Sequence, residues 1–294
     1  MFALEQVKAF LVNAIRGDAS LSDEIMEEFT RDCKEAIEKQ FKKEGNEWRI
    51  RMSGLGKPLC QQMLERDGHE EERDYNLLLR FFIGDLVEAA VMAVLKGAGV
   101  KIVDSQTQCN LTLADTDVRG TLDVIIDDPV DGKKVWDIKS ASPYSFSQKF
   151  GKGYEGIKED DPFGYVMQGH LYAEANDLPF GGWIVVDKSS GGIIFVEAPD
   201  NQQEDRDEYL KEAEGRVKAL KGNVPFKKAF KAEPETYRRD GEQKETGNTL
   251  LPKLCSMCGH RSHCWPKAVL HPKVTSKARI PPMAWYDKIK VKSL

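Results

Sequence analysis

Apolar residues recur through the first fifty positions with helical spacing. Leu4, Val7, Phe10, Leu11 and Ile15 fall at i, i+3, i+4 intervals in LEQVKAFLVNAI (4–15), which predicts an amphipathic helix. After GDAS, a second helix is expected over about 21–43, charged outside a stripe of Ile25, Phe29, Cys33 and Ile37. In SGLGKPLCQQMLER (53–66), residues 53–58 read as a turn and Cys60 opens a short helix. YNLLLRFFIGDLVEAAVMAVLKGAG (75–99) is apolar nearly all round, which marks a buried central helix. Glu88 lies inside it among Val87, Ala89, Ala90 and Val91, and Gly84, one turn earlier, is expected to leave room on the same face.

The period then changes. VKIVDSQT (100–107) is short and rich in β-formers, and GTLDVIIDDPVDGKKVWDIKS (120–140) reads as two strands around a turn marked by Pro129 and Asp131-Gly132. DPFGYVMQGHLYAEAN (161–176) is expected to be a helix, GGWIVVDKSSGGIIFVEAP (181–199) a second hairpin, and NQQEDRDEYLKEAEGRVKALKG (201–222) a polar amphipathic helix. Residues 223–250 read as polar and irregular. This order of elements predicts an α/β or α+β sandwich.

The length of 294 residues allows one large domain or two ordinary ones, and 40% hydrophobic with 31% charged residues describes a globular chain with a real core. A net charge of −5 excludes attraction of the whole molecule to nucleic acid, so such a site needs a local basic groove or bound cations. No apolar run approaches the ~20 residues that span a bilayer, so no membrane partner is expected. MFALEQVKAF lacks a basic region followed by an apolar core, and a cytoplasmic or nucleoid-associated location is expected, in the host cytoplasm for a viral chain. Six cysteines in such a chain suggest metal ligands or buried thiols rather than a disulfide framework.

The chemistry concentrates in two interrupted strands. Asp137 and Lys139 in VWDIKS stand two apart, on one face of an apolar strand, and Asp123 interrupts the strand before it. Adjacent carboxylates repel unless a cation sits between them. Mg²⁺, which takes carboxylate oxygens and waters, would resolve the conflict, with Lys139 pointing at water or phosphate beside it and Glu88 as a third acid.

The set Asp123, Asp137-Ile138-Lys139 and Gln168-Gly-His-Leu-Tyr172 resembles the motifs of PD-(D/E)xK nucleases of the RecB type, whose Q-x-x-x-Y motif places Gln and Tyr one helical turn apart. The resemblance implies a restriction-endonuclease-like α/β core, a central mixed sheet flanked by helices, in a divalent-metal-dependent DNA exonuclease. Its catalytic residues would be Asp123, Asp137, Lys139, Gln168 and Tyr172. Mg²⁺ or Mn²⁺ would be held by Glu88, Asp123, Asp137 and Ile138. Leu122 stands where the motif's name has Pro, and Glu88 where many members have His.

Cys255, Cys258 and Cys264 form C-x2-C-x5-C, with Cys60 far upstream. By themselves these thiolates suit zinc, with His260 and His263 nearby, or an iron–sulfur cluster. The pattern resembles the iron–sulfur branch of the same family, which includes AddB and the fourth CRISPR-associated protein, with stand-alone viral and phage relatives. It implies a structural [4Fe–4S] cluster on Cys60, Cys255, Cys258 and Cys264. Cys33 and Cys109 read as ordinary buried thiols. The expected organisation is a helical region over 1–50, a nuclease domain over 51–270 closed by the cluster, and a basic tail over 271–294. The expected partner is DNA, as ends of single or double strands, contacted by Lys149 and Lys152 and stacked on Tyr144, Phe146 and Tyr154. A homo-oligomer or recombination and replication proteins are further expected partners. The rival readings are a non-catalytic metal-stapled DNA-binding adaptor and a zinc-containing enzyme.

Overall fold

The computed structural model describes residues 2–42, 48–72, 74–222 and 224–290. In chain order the helices are α1 (Phe2–Arg16), α2 (Asp23–Phe41), α3 (Met52–Leu55), α4 (Leu59–Arg66), α5 (Tyr75–Gly97), α6 (Pro143–Gln148), α7 (Gly153–Glu159), α8 (Tyr165–Ala175), α9 (Gln203–Lys221), α10 (Lys253–Ser256) and α11 (Arg261–Cys264). The strands are β1 (Ile102–Ser105), β2 (Gln108–Leu113), β3 (Thr116–Thr121), β4 (Val124–Asp128), β5 (Gly132–Ala141), β6 (Phe180–Asp187), β7 (Ile193–Glu197), β8 (Glu233–Arg239), β9 (Glu242–Leu250), β10 (Val269–Pro272) and β11 (Met283–Lys288). The chain divides into two compact units, Met1–Pro58 with Asp74–Asn223, and Leu59–Arg73 with Val224–Leu294.

The first unit is mixed α/β around a five-stranded sheet of order β1-β4-β5-β6-β7. β4 and β5 form the expected hairpin, Val124 opposite Trp136, and β5 runs parallel to β6, Lys139 opposite Val185. A parallel pair needs a crossover, and α6, α7 and α8 provide it. Side chains alternate across the sheet. Trp136, Ile138, Val124, Ile126 and Ile184 pack with Val91, Met92 and Leu95 of α5 and Val7 of α1. Ala141, Phe180, Trp183 and Val185 pack with Tyr154, Ile157, Val166 and Ala173 on the other side. Each fully buried apolar side chain contributes roughly 1.5–3 kcal/mol. The period of two therefore assigns Asp137 and Lys139, with Ala141, to the face covered by α7 and α8.

Several expectations are corrected. In α1 only Ala3 and Val7 are buried, whereas Ile15 is 87% exposed, because the helix meets the sheet through its first turns. There Asp128 Oδ2 accepts the Phe2 and Ala3 amides, each at 2.9 Å, a cap supplied from β4. Residues 53–55 of the expected turn are helical, within α3. An unforeseen hairpin, β2–β3, turns through Ala114 and Asp115, both at positive φ, and takes up residues 120–121. Cys33 is only half-buried, unlike Cys109.

The second unit holds a four-stranded sheet of order β10-β11-β9-β8. The segment read as irregular is the hairpin β8–β9, turning at Asp240-Gly241 with φ of 57° and 81°. Its buried centre is polar: Glu235, fully buried, accepts Tyr286 Oη at 2.7 Å, Asn248 Nδ2 at 2.9 Å and Thr246 Oγ1 at 2.9 Å. The boundary expected at 270/271 falls inside β10, which pairs with β11 from Val269↔Tyr286 to Pro272↔Met283, so residues 271–272 and 283–288 of the expected tail are built into a sheet.

Candidate active site and cysteine site

Asp123 occupies the break between β3 and β4, outside regular pairing. The break frees its side chain to turn across β5, where Oδ2 accepts the Ile138 amide at 2.7 Å. Asp137 is 1% exposed. Lys139 Nζ donates to its Oδ1 at 2.7 Å and stands 2.6 Å from Oδ2, so the ammonium faces both carboxylate oxygens. The Lys139 ammonium also lies 5.1 Å from the centroid of the Tyr165 ring. On α8, Gln168 Nε2 donates to Tyr172 Oη at 3.3 Å, the i, i+4 contact expected of that pair. Glu88 on α5 accepts from Gln106 Nε2.

The electrostatics follow from burial and crowding. Burial, then the charge of Asp123, pushes Glu88 up to about 8. Burial also pushes Asp137 up to about 7, with Lys139 opposing and Asp123 adding to the shift. Asp123 is raised by burial against the pull of Lys139 and the Ile138 amide. Burial works against the Lys139 charge, but Asp137 and Asp123 outweigh it, so its pKa is raised and it stays an ammonium. Burial raises the Tyr172 phenol too, with Asp137 and Asp123 acting in the same direction. The structure thus brings Glu88, Asp123, Asp137, Lys139, Gln168 and Tyr172 into one neighbourhood. Gly84 is not what makes room for it, since an added Cβ would meet only Ser140 Oγ at an ordinary 3.7 Å.

Two expected DNA contacts are corrected. Tyr154 is 5% exposed and donates to Asp205 Oδ2 at 2.8 Å, beside His170, so it is a core side chain and no stacking platform. Lys149 lies 3.9 Å from Asp161 and 4.9 Å from the Tyr165 ring centroid, a largely buried cation already engaged. Lys152 and Tyr144 are exposed, as a contact residue must be.

Sequence reasoning missed the basic wall. A cleft of about 470 Å³ is lined by Glu88, Asp123 and Tyr172 together with Lys39, Arg49, Arg51 and Arg119. The signal was legible in W-R-I-R at 48–51, where two arginines alternate, and in the arginine four residues before Asp123.

In the second unit, Cys60, Cys255, Cys258 and Cys264 are free thiols. Burial raises all four pKa values, that of Cys258 to about 11. Cys60 further raises each of the other three, so the four sulfurs stand close enough to feel one another's charge. The His260 amide lies 3.4 Å from Cys258 Sγ, and its imidazole is 1% exposed, with the Glu70 backbone and the Glu65 and Glu71 carboxylates near it. The His263 ring meets that of His69 at 4.2 Å, centroid to centroid, with the planes tilted by 57°. Among the described residues, no group of three or more His, Cys, Asp or Glu is arranged so as to hold a metal ion, and no helix is long and apolar enough to cross a membrane.

Two donor sets nonetheless fit metals by their chemistry. The crowded carboxyls of Asp137, Asp123 and Glu88, each with its pKa raised by burial, suit a hard divalent cation. The four thiols, close enough for Cys60 to raise the other three, suit a soft metal or cluster once deprotonated. No family model matches the chain, and no curated protein matches it. Among solved structures, that of SSO0001 is similar with a TM-score of 0.41 and 14% identity, covering 67% of this chain and 87% of that one. Likeness of that degree says nothing about what this chain does.

Proposed function

We propose that the first unit is a PD-(D/E)xK nuclease core of the RecB type, a divalent-metal-dependent DNA exonuclease, and that the second carries a structural [4Fe–4S] cluster. The observation that carries the reading is the gathering of three carboxyls, Asp137, Asp123 and Glu88, around the single Lys139 ammonium, with burial raising the pKa of each. Carboxyls in such excess over one cation cost stability when ionised unless a further cation joins them.

Asp123 and Asp137 would hold Mg²⁺ or Mn²⁺, with Glu88 and the Ile138 backbone completing the set. When bound, such an ion acts as a Lewis acid that lowers the pKa of a water and offsets charge on the phosphoryl oxygens. Lys139 remains protonated, so it is no general base; it orients the attacking water by hydrogen bonding and stabilises negative charge growing on the phosphorane. Gln168 and Tyr172, tied to each other, fix the polar wall above Asp137. The test is digestion of end-labelled DNA in Mn²⁺ against the same reaction in chelator. Progressive release of mononucleotides in Mn²⁺ alone is expected, and an unchanged substrate under both conditions would refute the nuclease reading.

A second reading applies to the cysteine site only. The buried His260 ring, whose own amide sits against Cys258 Sγ, favours zinc as the alternative metal. A colourless protein with stoichiometric zinc would establish it, and a brown iron-containing one would exclude it.

A further inference from the structure

The cleft beside the carboxylates has an opposite chemistry along its basic wall. Arg51 and Arg119 are paired across a parallel β-bridge, and Arg49 stands two residues before Arg51. Paired residues on adjacent extended segments share a face, as do residues two apart. All three arginines are exposed, and all three line the cleft. Among the described residues none of them forms an ion pair, whereas Arg66, Arg206, Arg216 and Arg261 each hold a carboxylate. Lys39, from α2, shares the wall but is engaged with Asp85 at 2.8 Å.

Like charges set side by side on neighbouring strands repel, so this arrangement is destabilising until an anion joins it. The acids of the same cleft do not serve. The cations that act on Glu88 and Asp123 are Lys39 and Lys139, with none of the three arginines among their main perturbers. The wall is nevertheless seated on the acidic site: a Cβ on Gly120, next to Arg119, would fall 2.4 Å from the Tyr172 ring.

We infer that Arg49, Arg51 and Arg119 form a binding site for the phosphodiester backbone of a single DNA strand, next to Glu88 and Asp123. Guanidinium forks match phosphate oxygens two at a time, and adjacent forks suit one extended polyanion. A cleft of about 470 Å³ has room for a nucleotide or two of one extended strand. The choice of DNA rests on the nuclease reading, whereas the anion site rests on the arginines.

The test is fluorescence anisotropy of a labelled single-stranded 20-mer, its duplex, and inorganic tripolyphosphate as competitor, in Ca²⁺ to hold back hydrolysis. Wild type is compared with the R51Q/R119Q double variant, and with Arg238→Gln as a control on the exposed surface of β8. The double variant is expected to lose tenfold or more in single-strand affinity. Its salt slope should be shallower by roughly 1.4, at ~0.7 per phosphate contact on single strands. Arg238→Gln should match wild type. Unchanged affinity and slope in the double variant would overturn the site, and equal binding of the duplex would overturn its assignment to a single strand. Full competition by tripolyphosphate at matched charge would reassign the site to free polyphosphate and overturn the DNA assignment. Arginine-dependent binding without Mn²⁺-dependent cleavage would leave this site standing and remove the nuclease reading. Cleavage with arginine-independent binding would do the reverse.

Discussion

Glu88, Asp123 and Asp137 gather three carboxyls around the Lys139 ammonium, and burial raises the cost of ionising each of them. Glu88 has a clear pH signature. Its pKa rises from 4.5 to about 8 on folding, so the stability it contributes is complete below pH 4.5 and is lost as pH rises through about 8. In chelator, Glu88→Gln should match wild type at pH 5 and exceed it at pH 9 by about 1–2 kcal/mol, after allowance for solvent at a half-buried side chain. Thermal denaturation at the two pH values checks this, and a Gln variant less stable at pH 9 would show that the carboxylate is already compensated. At this scale the sequence was informative where a period applied. Asp137 and Lys139 were assigned to one face by the strand repeat, and Gln168 and Tyr172 by the helical turn. Tyr154 and Lys149 were misplaced because their short helix and its flank have no period long enough to reveal which side faces the core.

The site depends on the elements that hold it. α8 begins at Gly164, whose φ is 72°, and its backbone crosses that of Gly56 so closely that a Cβ on Gly164 would fall 2.1 Å from Gly56 Cα. Gly164→Ala should cost at least ~2 kcal/mol, lowering Tm by roughly 4–8 °C or more for a domain of this size. It should also reduce hydrolysis, because Gln168 and Tyr172 ride on the displaced helix. Calorimetry and activity measured on the same sample check both, and an unshifted Tm would mean the crossing is looser than described. The same helix shows what the motif alone hides. His170, between Gln168 and Tyr172, is fully buried with Tyr154, and burial lowers its pKa to about 4, so it serves packing rather than chemistry. The hairpin β8–β9 escaped the sequence reading for a related reason. β8–β9 buries Glu235 and Asn248 in a hydrogen-bond network, so no apolar alternation marks it.

Across the whole molecule, the second unit is assembled from two chain segments, 59–73 and 224–294, and all four cysteines of the expected cluster fall within it. A cluster bonding Cys60 to Cys255, Cys258 and Cys264 would close a long loop and restrict the unfolded chain much as a cross-link does. Cys60→Ser should therefore abolish the visible absorption of anaerobically purified protein and speed amide exchange in β9 and β11, while β4–β6 keep their protection. Exchange unchanged in β9 and β11 would show that the thiols bear no structural load. The fold class and the carboxylate site were legible because apolar strands interrupted by charge are conspicuous. The division into units was not, because it depends on contacts between segments far apart in sequence. The central claim, hydrolysis of DNA at Asp123, Asp137 and Lys139, is tested most directly by digesting end-labelled DNA in Mn²⁺ with wild type and Lys139→Ala side by side. Wild type should release nucleotides and the variant, with an unchanged circular-dichroism spectrum, should be slower by about 10²-fold or more. Equal rates in the two proteins would contradict the account.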